Sequence, residues 1–170
     1  MIKHIVFDMD GVLVDARDLH YEALNLALIE ADSKYIITKE EHLSSYDGLP
    51  TSKKLWLLTE NKGLPKELHK IVWRAKQNKT VELVDKMQYD ERMRLILKNL
   101  KDDGYTIHVA SNSIKHTVKM MLIRRGMLEY IDEIFSNEDV NNPKPNPEIY
   151  LRSVIKAGIS PTETLVIEDS

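Results

Sequence analysis

IVFDMDG, Ile5 to Gly11, places a continuous apolar run directly before two aspartates, Asp8 and Asp10, and then a glycine. The run from Lys3 to Phe7 is short, rich in β-branched residues and unbroken rather than alternating, which predicts a strand buried on both faces. Residues two apart on a strand point to one side, so Asp8 and Asp10 aim their carboxylates at one spot. Two bare carboxylates beside a buried strand repel and are costly to keep ionised. The strand end is therefore either solvated or built for a cation. A calcium loop is excluded, because the places that would need a third oxygen ligand and a glycine hold Val12 and Leu13.

Working outward, the chain changes character from about Asp18 to Val84. LHYEALNLALIEA carries an apolar helical stripe at Leu19, Ala23, Leu26 and Ala27. Two further helical stretches follow, separated by Gly63-Leu64-Pro65. After this stretch the pattern alternates: ERMRLILKNLKDDG helix, YTIHVAS strand, SIKHTVKMMLIRRGM helix, EIFS strand, NPEIYLRSVIKAGI helix, TLVIE strand. The helix of NPEIYLRSVIKAGI is expected to open with Asn146 as N-cap and Pro147 in its first turn. Strand–helix alternation with helices of this length implies right-handed crossovers and a parallel sheet. The predicted fold is α/β, a Rossmann-like parallel-sheet core over residues 1–15 and 88–170, with an all-helical cap inserted over residues 16–87.

Composition narrows the class. The 170 residues are 42% hydrophobic and 30% charged, with a net charge of −3, which gives no electrostatic case for a nucleic-acid partner. There are no cysteines, so disulfides and thiolate metal sites are excluded. No apolar run reaches membrane-spanning length, and the opening strand leaves no expectation of a signal peptide. A soluble, cytoplasmic monomer without nucleic-acid or membrane partners is expected.

In open parallel sheets, sites form at the carboxyl ends of the strands. Those ends hold Asp8-Met9-Asp10-Gly11, Ser111-Asn112-Ser113, the Pro143-Lys144-Pro145 loop and Glu168-Asp169-Ser170. Each alone has a plain explanation as a helix cap, a turn or a solvated lysine; together they fit phosphoryl transfer. Mg2+ favours hard oxygen ligands, which Asp8, the Asp10 carbonyl and Asp169 offer. Asp8 can attack phosphorus and Asp10 can serve as acid and base. Ser111, with the backbone N–H groups of Asn112 and Ser113 at a helix start, can hold phosphoryl oxygens, and Lys144 can neutralise them.

FDMDGVLVD, VASNS, NPKPNPEIY and VIEDS resemble, in order and spacing, the four motifs of the haloacid dehalogenase-like phosphohydrolases, in the helical-cap branch that includes β-phosphoglucomutase and small phosphatases. The resemblance implies a Mg2+-dependent phosphatase acting on a small phosphorylated metabolite through an aspartyl-phosphate. Asp8 is the implied nucleophile and Asp10 the acid/base. Ser111, Asn112 and Lys144 would bind phosphate, and Asp8, Asp10, Glu168 and Asp169 the metal. In the cap, His20 and Lys76 are the candidate substrate contacts, with Lys53 and Asn78 behind them. Two alternatives remain open. One is a β-phosphoglucomutase-like isomerase, against which stands Thr51 where mutase-type relatives carry an arginine. The other is an inactive fragment: the chain stops at Ser170, where relatives continue, so the core is expected to be truncated with TLVIE as an open edge.

Overall fold

A computed structural model describes residues 1–169; Ser170, counted above in the fourth motif, lies outside the described residues. The chain order is β1 (His4–Asp8), α1 (Arg17–Ala31), α2 (Lys39–Glu41), α3 (Thr51–Lys62), α4 (His69–Val84), α5 (Glu91–Asp102), β2 (Thr106–Ala110), α6 (Lys115–Arg124), β3 (Glu133–Phe135), α7 (Glu148–Ala157) and β4 (Thr164–Ile167). It divides into two compact units, Met1–Asp15 with Met87–Ser170, and Ala16–Lys86.

In the first unit the strands pair in the order β3-β2-β1-β4, every pairing parallel. The chain steps from β1 through β2 to β3, then crosses back to lay β4 on the other side of β1. Such a reversal opens a crevice at the carboxyl ends of the strands flanking it. All five residues of β1 are buried, as a strand paired on both sides requires. Val6, Ala110, Phe135 and Ile149 pack into one cluster, joining the sheet to α7. Among the described residues β4 pairs with β1 alone, and its Leu165 and Val166 are 44% and 39% exposed.

Beneath α7, β1 and β2 bury a histidine pair. The His4 and His108 rings meet edge to face at 4.5 Å. His108 Nδ1 lies 2.8 Å from Ser153 Oγ, which lies 3.4 Å from His4 Nε2, and His4 Nδ1 lies 3.2 Å from Thr164 Oγ1. Burial pushes His4 down to about 4, reinforced by His108 and opposed by Asp132. Burial also lowers His108, against Asp132 and Glu133 and with Lys101 on its side. Both rings therefore fold neutral. The unfolded chain takes up the proton first, so stability falls as pH drops from about 6.5 toward about 4, by about 3 kcal/mol for His4. Urea unfolding at pH 7 and pH 4.5 measures this loss, and His4→Gln should flatten it. An unchanged slope in that variant would place the acid sensitivity elsewhere.

The second unit is helical throughout its described elements. Its core joins Leu24, Ala27 and Leu28 of α1 to Leu55 and Leu58 of α3, Val72 of α4, and Tyr35, Ile37 and Tyr46 between the helices. The buried face of α1 is His20, Ala23, Leu24, Ala27 and Leu28. That corrects the expected stripe by a fraction of a turn: Leu19 and Leu26 flank the core instead of centring it. Asn25 fixes the following segment, since its amide donates to Ile37 O at 2.9 Å and accepts from Ile37 N at 3.0 Å. α3 ends where Gly63 adopts a φ of 69°, a left-handed turn that favours glycine.

Candidate active site

Asp8 is the last residue of β1 and is 8% exposed. Lys144 Nζ donates to Asp8 Oδ1 at 2.5 Å and to Glu168 Oε1 at 2.7 Å, tying the end of β1 to the segment after β4. Burial pushes Asp8 up to about 6 against the pull of Lys144, and the Glu168 charge adds to the rise. Burial also works to raise Glu168, but hydrogen bonds from Lys144 and Tyr150 hold it below the ordinary carboxylate range. Asp8, Glu168 and Asp169 each present a carboxylate oxygen, and these lie within 4.8 Å of one another.

Past Asp8 the chain doubles back tightly. Gly11 has a φ of 88°, its N–H donates to Val14 O at 2.8 Å, and Asp10 forms an isolated bridge with Val14. Only glycine enters that region cheaply. The turn buries Asp10 Oδ1 close behind β1.

Ser111 follows β2 and is fully buried; its N–H donates to Phe135 O at 3.0 Å, and its Oγ accepts from Ser113 N at 3.0 Å. α6 begins at Lys115 with Ile114 at its N-cap, so the N–H groups of Asn112 and Ser113 belong to the loop and not to a helix start as expected. Asn112 has a further task that its spacing did not suggest. Its Oδ1 accepts from Lys144 N at 2.9 Å and its Nδ2 donates to Lys144 O at 3.3 Å, clamping the lysine's backbone.

The loop carrying Lys144 is fixed from its far side. Glu148 accepts from Asn141 N at 3.0 Å and Asn142 N at 2.9 Å and pairs with Arg152 at 2.8 Å, and these partners lower its pKa to about 2. Asn146 Oδ1 accepts from Glu148 N at 3.0 Å. Asn146 thus supplies the capping bond, while the N-cap position itself falls on Pro147, one residue later than expected. Tyr150, in the first turn of α7, donates its hydroxyl to Glu168 Oε1. The sequence reading missed this residue because an aromatic on a helix reads first as core.

In the helical unit, His20 and Lys76 are both buried, with Lys76 Nζ 3.5 Å from His20 Nδ1. Lys53 and Asn78 are exposed, and the buried lysine of α3 is Lys54 instead.

The site's donors suit a hard divalent cation. Two of the three carboxylates, those of Asp8 and Glu168, share the Lys144 ammonium, and oxygen atoms make up the close set, which is what Mg2+ selects. Asp10 is outside that close set by its side chain.

Residues 5–170 match the family model described as haloacid dehalogenase-like hydrolase. The chain is 26% identical over 169 residues to the phosphorylated carbohydrates phosphatase of Thermotoga maritima, an alignment covering 99% of this chain and 77% of that one. It superposes on the crystal structure of β-phosphoglucomutase from Clostridium difficile with a TM-score of 0.84 and 25% identity, covering 100% of this chain and 77% of the other. CbbY from Rhodobacter sphaeroides, solved in complex with phosphate, gives a TM-score of 0.90 at 22% identity over 100% and 79% of the two chains, a likeness of fold. Among the described residues no helix is long and apolar enough to cross a membrane.

Proposed function

The chain belongs to the haloacid dehalogenase-like hydrolase family, and from that premise we propose that it is a Mg2+-dependent phosphatase of small phosphorylated metabolites. The observation that carries this reading is Lys144 bridging Asp8 and Glu168 where three carboxylate oxygens converge. Asp8 supplies the nucleophilic oxygen, held at a fixed point by the strand that ends in it, and an aspartyl-phosphate splits one hard displacement into two. Asp10 gives a proton to the leaving oxygen and then takes one from the attacking water. Ser111 and the loop N–H groups after β2 hydrogen-bond the phosphoryl oxygens, and Lys144 neutralises their charge. Asn112 serves this step by holding the lysine's backbone. Asp8, Glu168 and Asp169, with the Asp10 carbonyl, would hold Mg2+, which when bound supplies charge neutralisation at the transferring group. The helical unit, residues 16–86, carries substrate choice, with His20 and Lys76 as its candidate contacts.

The test is phosphate release from p-nitrophenyl phosphate and from a panel of sugar phosphates, with Mg2+ and with EDTA. Mg2+-dependent release of free phosphate is the expected result. An isomerised sugar phosphate without net release would favour the mutase alternative, and a folded protein inert towards every substrate would remove both.

A further inference from the structure

Tyr150 is half-buried beside the site, and the phosphatase reading gives it no task. Its hydroxyl donates to Glu168 Oε1, the same oxygen that accepts from Lys144 Nζ at 2.7 Å. The Lys144 ammonium also stands 5.3 Å from the centre of the Tyr150 ring. One side chain thus touches both halves of the ion pair, its donor on the anion and its ring face on the cation. Lys144 divides itself between Glu168 and Asp8. A second donor on Glu168 Oε1 shares that oxygen's charge, loosens its hold on the ammonium, and leaves more of the lysine for Asp8. The phenol is well placed to do this steadily, because the start of α7 is tied down by Asn146 and by Glu148 with Arg152.

We infer that Tyr150 is a positioning residue: by donating to Glu168 it sets how Lys144 is shared between Glu168 and Asp8. The inference rests on the phosphatase reading for its kinetic consequence, but not for its effect on cation binding.

Tyr150→Phe keeps the ring and removes the donor. In the full chain, calorimetric titration with Mg2+ in the absence of substrate should give a Kd about threefold tighter than the parent's, because Glu168 loses a donor and Asp8 gives up part of its hold on the ammonium, which leaves its carboxylate freer for the cation. With p-nitrophenyl phosphate, kcat should fall about tenfold while KM stays within about twofold. In a Glu168→Gln background the tyrosine replacement should leave the Mg2+ Kd where it was. A Kd equal to the parent's, or a weaker one, overturns the inference whatever kcat does, and so does an unchanged kcat in an active parent. If the parent itself releases no phosphate, the phosphatase reading fails, and the Mg2+ comparison alone then decides for or against Tyr150.

Discussion

Asp8→Asn should hydrolyse p-nitrophenyl phosphate at least about 10³-fold more slowly than the parent while remaining folded. The amide keeps the shape of the side chain but offers a weak nucleophile in place of a carboxylate. It also removes one of the three converging oxygen anions and the 2.5 Å ionic partner of Lys144. The fold should tolerate the change, because β1 is held by parallel ladders on both sides and not by this side chain. Relief of a buried charge offsets the lost ion pair, so the melting temperature should move little. Steady-state kinetics beside a thermal melt check both halves. Parental turnover in this variant would take Asp8 out of the chemistry.

Lys144→Met should lower kcat by about 10²–10³-fold, the scale of losing a preorganised charge aimed at the transferring group. Its second effect separates it from Asp8→Asn. The methionine leaves Asp8 and Glu168 facing each other without the ammonium that lies 2.5 and 2.7 Å from them. Removing one partner of a buried pair strands the other, typically at a cost of about 3–5 kcal/mol. The variant should therefore melt well below the parent in EDTA and recover more of that loss when Mg2+ is added. Melting curves with and without Mg2+ read this directly, and an equal response in both proteins would mean that the lysine and the cation do not answer the same charge.

The strands and their polar ends were legible because each signal is local. The unbroken, β-branched apolar run before Asp8 reads as a buried strand, and the topology of a parallel sheet brings Lys144 and Glu168 to the same mouth without any knowledge of their distances. What was hidden depends on partners far apart in sequence. The Tyr150 hydroxyl finds its acceptor 18 residues later. Asn112 clamps a backbone 32 residues away, and so reads in isolation as a cap. His4 and His108 become a pair only once the register sets His108 beside Val6, two residues along from His4. Small angular errors matter as well: a fraction of a helical turn decides that Lys54 and not Lys53 is buried, and that Leu19 lies beside the core of its unit.

The placement of β1 between β2 and β4 also orders events in time. Releasing β1, which ends in Asp8, requires ladders on two sides to open together, an event close to global unfolding in cost, so the strand's amides should be among the slowest in the protein to exchange with solvent. Lys144 rides on a loop whose ties are a few side-chain hydrogen bonds from Asn112 and Glu148, and such loops open far more often. On warming, the lysine should let go while the aspartate still stands in place. If Lys144 serves the chemistry, turnover should then fall at temperatures below the melt and return on cooling, as activity followed beside a melting curve would read.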